Sequence, residues 1–79
     1  MMSHWNYRVI EFVEPDGETY RAIHEVYYHD DGSLAGYGEN PATVVANKWT
    51  SWDDENTLNC QLDMMYKALK QPFLKNTDF

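Results

Sequence analysis

Seventy-nine residues make one domain with room for only a small core, so self-association is a reasonable way to add buried area. Thirteen acidic against six basic residues give a net charge of −7, which repels nucleic-acid backbones, and no basic patch interleaved with aromatics offsets it. Three Trp, six Tyr and three Phe exclude disorder by composition, and the single cysteine, Cys60, excludes an intramolecular disulfide and an all-cysteine zinc site.

An unpaired cysteine fits a reducing cytosol. Met1 to Asn6 lacks the basic and apolar regions of a signal peptide, and no apolar run reaches membrane-spanning length. The expectation is a cytoplasmic, soluble protein with no membrane partner.

Trp5 to Val13 reads as a first strand. Trp5, Tyr7 and Val9 fall on one face and Asn6, Arg8 and Ile10 on the other. Phe12 departs from the pattern, which predicts a bulge or register shift near Glu11. Pro15-Asp16-Gly17 then supplies a type I turn ending in a left-handed residue, making the next strand an antiparallel neighbour.

The second strand runs from about Glu18 to His29 and ends in the turn chemistry of Asp30-Asp31-Gly32-Ser33. Tyr20, Ala22, His24, Val26 and Tyr28 form its better core face; Ile23 and Tyr27 stand among polar residues on the other and are expected to be partly exposed. A third, weaker strand covers Leu34 to Gly38, with two glycines that suit an edge. Pro41 ends it, and Thr43 to Ala46 is either a short fourth strand or an ordered loop.

A helix is predicted over Trp52 to Lys70, capped by Ser51 and stopped by Pro72. Asp53, Asp54 and Glu55 suit the positive end of its dipole and Lys67 and Lys70 the negative end. Leu58, Leu62, Met65 and Leu69 recur at helical spacing and form the expected buried stripe. Trp49 and Trp52 are expected to pack under its first turn, and Phe73 to Phe79 to form a frayed tail.

The expected fold is α+β, order β-β-β-α: a three-stranded antiparallel meander, with the possible fourth strand, covered on one face by the helix. Residues 1–79 form a single domain with its ordered core over about residues 4–72.

The segments Trp5-Asn6-Tyr7-Arg8-Val9-Ile10, Ile23-His24-Glu25-Val26-Tyr27-Tyr28 and Met64-Met65-Tyr66-Lys67-Ala68-Leu69-Lys70-Gln71-Pro72 carry a resemblance. The chain is similar to a family of small uncharacterised bacterial proteins with those strand motifs and a leucine-rich C-terminal helix before proline. The resemblance covers most of the chain and implies this layout; the family has no established activity, so it implies no chemistry. The stretch from Ala42 to Trp52 is longer and more apolar than in those relatives.

No catalytic constellation is visible. His24 and His29 lie five apart on a strand and face opposite sides, so with Asp30 and Asp31 they make a poor metal site. Cys60 lies away from the helix N-terminus, where nothing lowers its pKa. No phosphate-cradling glycine loop is present, and no cofactor or metal is expected. The leading expectation is a non-enzymatic protein-interaction module, binding another protein or itself as a homodimer through Ile10, Ile23, Tyr27 and Tyr37 on the sheet face and third-strand edge. The alternatives are a small-molecule binder or small enzyme using His24 with Glu25 or Tyr28, and an acidic mimic of nucleic acid.

Overall fold

Two turns with the same chemistry set up the sheet. A computed structural model describes residues 4–45 and 58–79. In the first turn, the Glu14 amide donates to the Glu18 carbonyl, and the Asp16 carboxylate accepts from the Glu18 amide at 2.9 Å. In the second, the His29 amide donates to the Ser33 carbonyl, and Asp31 accepts from both the amide and the hydroxyl of Ser33. Gly17 and Gly32 take the left-handed positions, with φ of 92° and 88°.

The strands joined by these turns are β1 (His4–Val13), β2 (Thr19–Tyr28) and β3 (Leu34–Tyr37). β1 and β2 pair antiparallel without interruption, from His4 opposite Tyr28 to Val13 opposite Thr19. No bulge occurs at Glu11. Phe12 shares the face of Ile10, lies opposite Tyr20 and stacks on its ring at 5.2 Å. The irregularity falls instead between β2 and β3, where Tyr27 faces Gly36 and Tyr28 faces Leu34, leaving Ala35 as the extra residue.

The helix α1 covers Leu58–Ala68, and a fourth strand, β4 (Leu74–Lys75), follows it. The fold is α+β with one described helix, but its sheet is mixed and four-stranded, in the order β3-β2-β1-β4. The extra strand is not Thr43 to Ala46: residues 43–45 form no strand, and Ala46 lies outside the described residues. β4 pairs parallel with β1, with Ile10 opposite Leu74.

The predicted frayed tail is therefore structured. After β4 a short 3-10 helix spans Asn76–Asp78, where the Asp78 carboxylate accepts from the Lys75 amide at 2.7 Å. Phe79 then meets Tyr37 at 4.7 Å between ring centroids. A residue following β4 thus touches one in β3 at the far side of the sheet, so the sheet curls around the side chains between them.

Both faces of the sheet are covered, which explains why apolar residues occur on both. On one, Ile10 and Val26 are fully buried and His24 nearly so, beneath the rings of Phe12, Tyr37 and Phe79. On the other, Tyr7 packs with Met65 and Ala68 of α1, flanked by Ile23, Ala42 and Met64. The near-total burial of Ala68 marks a close approach of helix to sheet that a larger side chain would block.

The chain leaves α1 through a tightened turn: Leu69, Lys70 and Gln71 amides each donate to the carbonyl three residues earlier, and Pro72 follows. Arg8 holds this exit in place, donating to the Pro72 carbonyl at 2.8 Å. Ser51, Asp53, Asp54, Glu55, Trp49 and Trp52 lie outside the described residues.

Candidate interaction surface

The register separates the four residues expected to share one surface. Ile10 lies opposite Ala22, and Tyr37 opposite Val26, so both stand on the His24 face. Ile10 is 0% exposed there and offers nothing to a partner. Ile23 and Tyr27 stand on the helix-covered face, where Ile23 packs against the core and Tyr27 donates to Glu25 at 3.0 Å. The alternation of each strand alone leaves the faces ambiguous, and only the pairing assigns Ile10 and Ile23 to opposite sides.

His24, Glu25 and Tyr28 do not converge either. The buried His24 ring donates from Nδ1 to the Gly38 carbonyl at 2.8 Å and lies between Phe12 and Tyr37. Glu25 points to the other face, toward Tyr27. Tyr28 belongs to a separate network, donating to Asn6 at 2.8 Å and accepting from Arg8. Among the described residues no three His, Cys, Asp or Glu side chains come together as metal ligands. None of the described helices is long and apolar enough to cross a membrane.

Glu25 forms instead the centre of a phenol cluster. Burial pushes the Tyr7 hydroxyl pKa above its ordinary 10.0, helped by the charges of Glu25 and Cys60. The hydrogen bond to Glu25 raises that of Tyr27 as well. A raised phenol pKa means that the folded protein keeps a proton the unfolded chain releases. The stability this contributes is complete below pH 10.0 and is lost as pH rises through the raised value. Tyr7→Phe, which cannot ionise, should therefore flatten the alkaline fall in melting temperature above pH 10.0. An unchanged slope would remove Tyr7 as its source.

Exposed apolar side chains occur at Trp5, Val13, Tyr20, Val44 and Val45, and a further set lies along α1 and its exit. At about 100° per residue, Met64, Ala68, Met65, Leu58, Leu69, Leu62 and Tyr66 sweep an arc of about 200°. The sheet takes only the part carrying Met64, Met65 and Ala68. Leu58, Leu62, Tyr66 and Leu69 are left exposed, the last three at 54%, 58% and 60%. The expected buried stripe is thus out of phase with the true one: of its four residues only Met65 is buried.

The ridge continues past the helix into an open groove of about 430 Å³ lined by Val9, Ile23, Leu69 and Phe73 among others. Arg21 also lines it, with its guanidinium 3.8 Å over the Phe73 ring and paired with Glu11 at 3.1 Å. Sequence reasoning found these leucines but took their helical period as proof of burial. Ala68, flanking the leucine stripe, and Met64, lying off it, form a second apolar group on the same helix, and the sheet selects that group.

No family model, curated protein or solved structure matches the chain.

Proposed function

We propose that this chain is a non-enzymatic protein-interaction module whose contact surface is the exposed ridge of α1, continued by Phe73. The observation that carries this reading is the mismatch between the apolar arc of α1 and the narrower part that the sheet buries. Leu62 and Tyr66 on α1 and Leu69 just past its end, each more than half exposed, follow one another at helical spacing rather than lying scattered along the chain. Leu and Tyr at helical spacing fit the helix-in-groove and helix-on-helix modes of recognition. The edge of β3 supports association less well, because that strand is only four residues long and carries the bulge, both of which blunt edge pairing.

The test compares wild type with the Leu62→Glu, Leu69→Glu double variant. Both positions are exposed, so both proteins should give the same circular dichroism spectrum and melting temperature to within a few degrees. Chemical cross-linking with mass readout, on the purified chain and in host extract, should show that the variant loses the associations of wild type. A folded variant that keeps them at full strength would end this reading.

A further inference from the structure

Resting on α1 as the contact surface, we infer that its occupant is a second copy of this chain, docked antiparallel about a two-fold axis beside Tyr66. The spacing of the ridge is self-complementary. Turned end for end about Tyr66, Leu62 meets Leu69 and Leu58 meets Phe73, all of them exposed. A two-fold interface requires this reciprocity, because each pair occurs twice. The groove beside Leu69 and Phe73 then lies where Leu58 of the second copy arrives.

The charges agree with the same orientation. Asp63 lies on one flank of the ridge, where it pairs with Lys67 one turn on at 3.3 Å, and Lys70 follows two residues after the helix ends. The Lys70 ammonium lies 4.8 Å over the Tyr66 ring. Antiparallel docking sets Asp63 of each copy against Lys70 of the other, and opposes the two helix dipoles. A parallel arrangement would align the two helix dipoles instead. The described part of α1 and its exit carry Asp63 against Lys67 and Lys70, a balance that asks for no strongly charged partner.

An eleven-residue helix spans about 16 Å, so one helix pair buries less than the roughly 1,200 Å² of a stable interface. The dimer is accordingly weak, with a dissociation constant of about 10–100 µM.

The experiment is sedimentation equilibrium of the full chain from about 5 µM to 1 mM, a range bracketing that affinity. Wild type should pass from monomer to dimer, and Leu62→Glu should weaken dimerisation by about a hundredfold, since each substitution acts twice. Asp63→Lys sets lysine against lysine, and Lys70→Asp sets aspartate against aspartate; each alone should weaken the dimer about tenfold. Mixed one to one, the two variants regain complementary pairs and should dimerise like wild type. The same charge changes placed at exposed Glu39 and Lys75 should leave wild-type dimerisation unaltered.

A wild type that stays monomeric throughout overturns self-pairing, while the module reading stands or falls separately on the extract comparison. A dimer indifferent to Leu62→Glu uses another surface and also overturns the inference. A dimer sensitive to Leu62→Glu but not restored in the mixture overturns the antiparallel arrangement.

Discussion

Ile10→Ala should lower the free energy of unfolding by about 3 kcal/mol, the usual cost of removing a buried isoleucine to alanine. Ile10 is 0% exposed, opposite Ala22 on β2 and Leu74 on β4, so no neighbour is free to collapse into the space. A domain of this size has a total stability near the low end of about 5–15 kcal/mol, and the melting temperature should fall by roughly 12–24 °C. Leu69→Ala removes a side chain of similar size at a position 60% exposed and should cost no more than about 0.5 kcal/mol. Urea denaturation of both variants checks the contrast. A loss below about 1 kcal/mol for Ile10→Ala would mean that the residue is not in the core.

His24→Ala should cost about 2–4 kcal/mol, from two sources. The ring leaves a hole between Phe12 and Tyr37, whose centroids lie 5.0 and 5.7 Å from it. The Gly38 carbonyl also loses the donor that fixes the end of β3 against β2. His24→Phe refills the hole without restoring the donor, so it should recover part of the loss. This ordering separates a packing histidine from a reactive one. A folded His24→Ala protein of near-wild-type stability would place the ring outside the core and reopen the reading of His24 as a binding or catalytic group.

Local chemistry made much of this fold legible. The turns at Asp16-Gly17 and Asp31-Gly32 carry their own signal, a carboxylate that accepts from the backbone two residues on followed by a residue free to take positive φ. The strands they join were found nearly to the residue for the same reason. What failed was whatever depends on a distant partner. Leu74-Lys75 is too short to carry a period and becomes a strand only because Ile10 and Glu11 offer an open edge. The leucine period predicts the helix but not its rotation, since it cannot say which side of a wide apolar arc the sheet selects. The same blindness scattered the candidate surface: Ile10 and Ile23 look alike in sequence, and only the register puts them back to back.

The position of β1 has a consequence for how the chain assembles. Its partner on one side, β2, is reached through a five-residue connection, a hairpin that forms in about 1–10 µs. Its partner on the other side, β4, belongs to a segment that Arg8 grips across a separation of 64 residues. Closing so long a loop is an entropic cost met late, which raises contact order and slows folding. During synthesis the hairpin therefore exists for a time with the Ile10 edge of β1 unpaired and its aromatic face uncovered. The two residues of β4 and the phenylalanine behind them act as a late seal, protecting the chain most at the stage when a neighbouring nascent strand is the alternative partner.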